Sequence, residues 1–364
     1  MIIFHPLLCY YPSQAGGPAN TLYWLNSELS GSEFMTNVLS TNFGLDSDVP
    51  LNIISENTST PNHQVKFLDN KSSEFLKIGM KAVQNSDIIQ FSSLFFPPTL
   101  PFLVKAIIQG KKVIVSPRGE LYPSALKIKP FQKKVWLGIL GFFQKKIQFH
   151  ATNEFEVGII KKYFPNAKGI ITIPNFMKMT TRQRLEVNKD QFLFIGRINP
   201  IKNIDVLIKS IAKSHVKLDR SLKLIIAGSA RLPYEIVYEN ELKNLVNSLN
   251  LQDSITFLGH IQGDEKDKLI ASSYALVLPS QSENFGNVVL EALSQGTPVI
   301  ASKSTPWKSL EENNAGYWAE SSVEGISNSI IQLSNLQEFE YSKLRDNAYS
   351  LCLSNFDIKS NIFH

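Results

Sequence analysis

Two glutamates eight positions apart, Glu283 and Glu291, lie in the segment Ser282-Glu283-Asn284-Phe285-Gly286-Asn287-Val288-Val289-Leu290-Glu291. Carboxylates are natural acceptors for the hydroxyls of a sugar or a ribose. The apolar run before them ends at Pro279, a polar loop follows, and a helix is expected to start near Gly286. A helix N-terminus at the carboxyl end of a strand offers unpaired N–H groups and a positive dipole end to an anion. A glycine at that point permits close backbone approach. Glu283 before the helix and Glu291 on it can therefore meet different parts of one elongated ligand. Each alone would also pass for an ordinary surface glutamate.

A second candidate is Phe194-Ile195-Gly196-Arg197-Ile198-Asn199-Pro200-Ile201-Lys202-Asn203. Gly196 lets the chain turn after a strand, and Arg197 and Lys202 fall in the loop before the next helix. A planar guanidinium and a compact ammonium both suit phosphate oxygens. In isolation such residues are usually solvated, but an anion-accepting helix start in the same half makes the functional reading the stronger. Near the N-terminus, Gly16-Gly17-Pro18-Ala19-Asn20 follows the first expected strand and precedes a helix. It is neither a dinucleotide fingerprint nor a P-loop. Asp46-Ser47-Asp48 has the spacing of a metal-binding carboxylate pair, but it lies in a polar stretch far from the other motifs and reads as a solvated turn.

The elements that must position these residues alternate along the chain. Short β-rich runs at residues 2–8, 36–40, 88–91, 112–116, 147–151 and 170–173 are separated by helical patterns. After a polar stretch at residues 175–189 the rhythm restarts, with runs at 192–195, 222–227, 255–258, 275–278 and 299–301. Strands apolar on both faces, separated by helices, indicate parallel sheets covered on both sides. The expected architecture is α/β: residues 1–175 form one Rossmann-like domain, 176–190 a linker, 191–345 a second Rossmann-like domain, and 346–364 a segment crossing back onto the first. Ligands of such sheets bind beyond the carboxyl ends of the strands, so two such domains would face each other across a ligand-binding cleft.

At 364 residues with 43% hydrophobic and 19% charged side chains, the chain can bury two cores, which excludes general disorder. Cys9 and Cys352 stand at opposite ends, so a disulfide scaffold is excluded and a reducing, cytoplasmic setting is expected. The N-terminus reads as a poor secretory leader, because His5 and Pro6 interrupt its apolar stretch. The longest uncharged stretch, 88–104, contains three prolines and is no membrane span. The net charge of +5 is unevenly distributed: residues 105–168 hold 13 Lys/Arg against 3 Asp/Glu. Such a balance suggests an anionic surface or ligand on that side. Nucleic acid is not expected, since no reader motif organises the basic residues.

Together the motifs resemble the GT-B glycosyltransferases, specifically the group 1 family also called glycosyltransferase family 4. The match is most specific in Glu283…Glu291 and in Gly196-Arg197…Lys202. Gly16-Gly17, Ser116-Pro117-Arg118-Gly119, Ala151-Thr152-Asn153-Glu154, Ile226-Ala227-Gly228, Phe257-Leu258-Gly259 and Gly296-Thr297-Pro298-Val299 support it in order along the chain. The resemblance implies a hexosyltransferase with a nucleotide-sugar donor on the second domain and a glycan or lipid-linked acceptor on the first. Glu291 would hold the ribose hydroxyls and Glu283 those of the transferred sugar. Arg197 and Lys202 would hold the diphosphate, helped by Gly196, Asn284, Phe285, Gly286 and Asn287, with Gly17 near the reacting centre. Transfer would retain anomeric configuration and need neither metal nor cofactor, with Arg197, Lys202 and Glu283 as the catalytic set. Surface polysaccharide or lipopolysaccharide assembly is the expected context. Many members carry His or Asp where this chain has Arg118, so the acceptor-side candidates are Gly16, Asn20, Arg118, Glu120 and His150, without an assigned base. A nucleotide-sugar 2-epimerase of related architecture and a non-enzymatic sugar-binding protein are the alternatives.

The stretch KIKPFQKKVWLGILGFFQKK at residues 127–146 has two readings. It is a core-facing helix with solvated lysine flanks, or a helix whose edges rest on anionic lipid through Lys133, Lys134, Lys145 and Lys146. On the second reading the protein is peripheral at the inner face of the cytoplasmic membrane.

Overall fold

The computed structural model describes residues 1–13, 17–29, 33–45, 49–69 and 72–362, and the side chains of these except Gly17 and Pro18. Gly16 and the Asp46-Ser47-Asp48 triplet lie outside the described residues. The chain divides into two compact units, Met1–Lys178 with Asn361–His364, and Met179–Ser360.

Unit 1 is built on seven parallel strands: β1 (Ile2–Leu7), β2 (Met35–Thr41), β3 (His63–Leu68), β4 (Ile88–Phe91), β5 (Lys112–Val115), β6 (Ile147–Ala151) and β7 (Gly169–Thr172). Their order is β3-β2-β1-β4-β5-β6-β7. Unit 2 repeats the plan with β8 (Asn188–Ile195), β9 (Lys223–Ala227), β10 (Ile255–Gly259), β11 (Ser273–Leu278), β12 (Val299–Ser302) and β13 (Gly316–Ala319), ordered β10-β9-β8-β11-β12-β13. All pairings between these strands are parallel, and helices connect them, so both units are Rossmann-like.

The buried runs explain the order. Every residue of β11 is buried, as the strand at the centre of a doubly covered sheet requires. Phe192, Phe194, Leu224, Ile226, Ala275, Val277 and Ile300 join helix residues such as Leu207, Ile211 and Ile330 in one core. In unit 1, Phe91, Val113, Val115, Ile147 and Phe149 pack with Phe102, Leu103 and Ile160.

β3 and β13 were not expected from the sequence, and both lie at a sheet edge. β3 alternates buried and exposed residues, and β13 has only four residues, so neither carries a continuous apolar run. The polar stretch expected as a linker ends early, since β8 already begins at Asn188. No helix among the described residues is long and apolar enough to cross a membrane.

Candidate functional site

The strand order of unit 2 reverses at β8, which has β9 on one side and β11 on the other. The loops leaving β8 and β11 must therefore part at the carboxyl edge of the sheet, where a doubly wound fold binds its ligand. Those are the loops carrying Arg197–Lys202 and Ser280–Gly286. Backbone and side-chain bonds stitch them together. The Gln281 N–H donates to the Ile201 carbonyl at 2.8 Å, and Asn203 Nδ2 donates to the Pro279 carbonyl at 3.3 Å. Gln281 Nε2 in turn donates to Asn203 Oδ1 at 3.1 Å.

At this junction Lys202 Nζ pairs with Glu283 Oε1, the two side chains being only 19% and 14% exposed. Ser280 Oγ donates to the same carboxylate at 3.4 Å. The predicted helix runs from Asn287 to Ser294, and Gly286 before it adopts φ +82°. A side chain there would be strained by the backbone, and its Cβ would lie 3.0 Å from Leu278 Cδ2, a close contact that Leu278 would have to give way to, so the conformation favours glycine. Phe285 is buried, its ring edge-on to Trp307 at 5.1 Å, while Trp307 Nε1 donates to the Phe285 carbonyl. Phe356 closes the same cluster, at 6.0 Å from Phe285 and 5.5 Å from Trp307. The turn that presents the helix start is thus clamped from below by aromatic packing. Asn284 and Asn287 are half-buried beside it.

Glu291 lies on that helix and pairs with Lys266 at 2.7 Å, again with both side chains mostly shielded. Arg197 is more exposed, at 54%, and its Nε holds Glu235 Oε1 at 3.1 Å. Glu235 is fully buried. Burial alone would raise its carboxyl, but donors from the Arg231 N–H, Asn199 Nδ2 and the Leu232 N–H, with the Arg197 charge, outweigh that and lower it. This hydrogen-bonded carboxylate thus anchors Arg197. Gly196 donates its N–H to the Ala227 carbonyl at 3.0 Å, and its own carbonyl would lie 1.8 Å from a Cβ on Gly228. Sequence reasoning missed Glu235 and Lys266. The first could have been found from its place three residues after Leu232 at a helix start, where a carboxylate reaches back to free N–H groups. Nothing marks the second.

In unit 1, Gly17 opens the helix Gly17–Leu29 and Asn20 lies in its first turn. Arg118 follows β5 in the left-handed region, at φ +49°, and Nη1 donates to Asn175 Oδ1 at 2.9 Å. Its Nε is buried without a hydrogen-bond partner among the described residues. Burial pulls the guanidinium down to about 10, against the opposing field of Glu156, so it stays charged at neutral pH. His5 on β1 is 1% exposed, and neither ring nitrogen has a hydrogen-bond partner among the described residues. Burial, His63 and Arg118 depress it to about 3. The fully buried Glu156, absent from the expected set, accepts from the Gly119 N–H at 2.8 Å and the Thr152 N–H at 2.9 Å. Its signal was the Asn153-x-x-Glu156 spacing of a helix start, where Asn153 accepts from the Glu156 N–H.

Two acceptor-side candidates, His150 and Glu120, are held by hydrogen bonds within unit 1. His150 Nε2 faces the Ile173 carbonyl at 2.8 Å and must donate to it, which leaves Nδ1 to accept from Ser116 Oγ at 2.8 Å. Both ring nitrogens are occupied, and burial with the Arg118 charge depresses the ring to about 4. Glu120 accepts from Ser93 Oγ at 2.6 Å and from the Leu94 N–H at 2.5 Å, which pins the loop after β4. Burial raises its carboxyl despite these bonds. No group of three or more His, Cys, Asp or Glu side chains placed to hold a metal occurs among the described residues.

Comparison places the fold among the GT-B glycosyltransferases. Anabaena Alr3699/HepE, solved in complex with UDP and glucose, superimposes with a TM-score of 0.78 at 18% identity, covering 99% of this chain and 96% of that one. TarM superimposes with a TM-score of 0.78 at 13% identity, over 100% and 97% of the two chains. In sequence, residues 178–351 match the family Glycosyl transferases group 1. That stretch contains Arg197, Lys202, Glu283 and Glu291. An uncharacterized glycosyltransferase of Methanocaldococcus jannaschii is 37% identical over 128 residues, 34% of this chain and 30% of that protein. The O-antigen chain mannosyltransferase RfbU of Salmonella typhimurium is 29% identical over 199 residues, 52% of this chain and 54% of that protein. The chain thus spans about half or less of the length of these relatives.

Proposed function

We propose that the protein is a retaining, metal-independent glycosyltransferase that moves a sugar from a nucleotide-diphosphate donor to a glycan or lipid-linked acceptor. The observation that carries this reading is the junction of the β8 and β11 loops. It sets two shielded carboxylates, Glu283 and Glu291, on either side of a helix start, with Lys202 paired to the first and Arg197 on the neighbouring loop. Glu291 takes the ribose hydroxyls and Glu283 the hydroxyls of the transferred sugar. Arg197, Lys202 and the N–H groups at the start of Asn287–Ser294 take the diphosphate. As the sugar–phosphate bond breaks, negative charge builds on the leaving phosphate, and these cationic and dipolar groups stabilise it. The leaving phosphate oxygen accepts the acceptor's proton on the same face of the sugar, so the reading needs no protein base beside Arg118. The acceptor is assigned to unit 1, where Arg118 is the charged candidate.

The group 1 family match, a GT-B neighbour solved with UDP and glucose, and a relative named for O-antigen mannosyl transfer support the reading. By the same analogy the product belongs to surface polysaccharide or lipopolysaccharide assembly. A thermal-shift screen of UDP- and GDP-sugars, followed by mass spectrometry of products with lipid-linked acceptors, tests it. Stabilisation by at least one nucleotide sugar and an acceptor enlarged by one sugar are expected. Sugar release without any acceptor would point to an epimerase or hydrolase instead.

A further inference from the structure

We propose that unit 1 docks on an anionic lipid surface through the outer face of the helix Pro130–Phe143. This helix is apolar on two sides. Inward, Leu140 is fully buried, and Leu137 and Phe143 pack on the core of unit 1. Outward, Phe131 is 79% exposed, Val135 48% and Phe142 82%, with exposed Gly138 between the last two. Spacings of four, three and four residues put all four positions on one stripe of the helix. Ile128, just before the helix, extends the apolar surface at 64% exposed. Large aromatics are normally withdrawn from water, so two rings about four-fifths exposed on one stripe mark an interaction surface.

The charge around the stripe names the occupant. Residues 121–153 hold six lysines and no Asp or Glu. Lys127, Lys129, Lys134, Lys145 and Lys146 are exposed. None of them has an ion-pair partner among the described residues, where every ion pair from Arg182–Asp346 to Lys308–Glu312 lies in unit 2. Lys133 is different: its Nζ donates to the Ala125 carbonyl at 2.7 Å and sits 4.8 Å from the Phe95 ring centroid. It is therefore removed from the lysine set expected from sequence. An apolar stripe flanked by unpaired lysines suits shallow insertion among anionic headgroups, with aromatic rings below and ammonium groups at phosphate level. A second copy docked face to face would set these lysines against one another. Nucleic acid would leave the stripe in water. The core-facing reading of this stretch holds for its inner side, where Leu137, Leu140 and Phe143 pack, and the lipid reading is what the proposal puts to the test.

Co-sedimentation of the full chain with vesicles tests the proposal, comparing phosphatidylcholine alone with equal parts phosphatidylcholine and phosphatidylglycerol. Binding is expected only to the mixed vesicles, and it should fall steeply with salt. Phe131→Ser with Phe142→Ser should weaken it roughly a hundredfold. Lys134→Gln, Lys145→Gln and Lys146→Gln should each cost about fivefold at low salt. Lys133→Gln on the same helix should leave vesicle affinity unchanged, because that ammonium faces inward. UDP binding by unit 2 should be unaltered throughout, which keeps this test separate from the assignment of activity. Any of three results would overturn the proposal: no binding at low salt, binding indifferent to the phenylalanine changes, or self-association without vesicles that those changes abolish.

Discussion

Replacing Glu283 by glutamine should separate nucleotide binding from sugar transfer. The Lys202 and Glu283 side chains are 19% and 14% exposed, so their pair lies between the surface and buried extremes. An exposed pair contributes under about 1 kcal/mol, whereas breaking a fully buried one costs about 3–5 kcal/mol. Glutamine still offers an oxygen to the ammonium, so a loss of about 1–2 kcal/mol in folding stability is expected. The same pair restrains Lys202, which on the proposed reading a diphosphate would share with Glu283. Glu283→Gln frees the ammonium, so UDP or GDP should bind at least as tightly as to the wild type, by up to about tenfold. The transferred sugar meanwhile loses a charged acceptor worth about 1.5–3 kcal/mol, so transfer should fall roughly ten- to a hundredfold. Glu291→Gln should behave differently, weakening free nucleotide and nucleotide sugar alike by roughly ten- to a hundredfold. Isothermal titration with UDP and GDP, alongside initial rates of transfer, reads both effects. If Glu283→Gln weakens free nucleotide as much as Glu291→Gln does, the division of labour between the two carboxylates is refuted.

Arg197→Ala and Lys202→Ala should each lower transfer by orders of magnitude while leaving the far-UV circular dichroism spectrum intact; near-normal rates would remove them from the leaving-group role. Gly228→Ala should cost about 3 kcal/mol or more, because its Cβ would fall 1.8 Å from the Gly196 carbonyl oxygen, and an unchanged melting temperature would contradict that. Acid should destabilise unit 1 through its buried neutral histidines. His5, His63 and His150 are held at about 3, 4 and 4 in the fold against 6.5 when exposed, so the unfolded chain binds more protons between those limits. Stability from this source is complete above pH 6.5 and declines as pH falls towards 3–4, and the urea midpoint should follow it, less steeply in His5→Leu. A flat profile across that range would contradict the burial argument.

Much of this was legible from residue spacing, for identifiable reasons. Inner strands such as β8 and β11 stand out because they carry unbroken apolar runs, at residues 192–195 and 274–278. β3 and β13 were invisible because an edge strand needs only one buried face or a few residues. Glu283, Gly286 and Glu291 could be placed because a glycine at a strand-to-helix turn fixes the geometry locally. What those carboxylates touch could not, since Lys202 and Lys266 reach them from distant parts of the chain. Near the C-terminus, Phe356 completes the aromatic clamp beneath Phe285, and Ile358 is fully buried. Such tertiary partners leave no periodic trace. For the same reason the spacing does not reveal the partners of His150 and Glu120, which are Ser116 and Ile173 for the first and Ser93 and Leu94 for the second.

On the proposed function, sugar passes directly from a nucleotide-diphosphate donor to the acceptor, with Arg197, Lys202 and a helix start in place of a metal. The most direct test of this is one reaction in EDTA, with an isotopically labelled donor identified by thermal shift and a lipid-linked acceptor. NMR would report the anomeric configuration of the product. Acceptor-dependent release of nucleoside diphosphate, an undiminished rate in chelator, and a product with the donor's configuration are expected. Activity abolished by EDTA and restored by magnesium or manganese, or a product of inverted configuration, would contradict the proposed function.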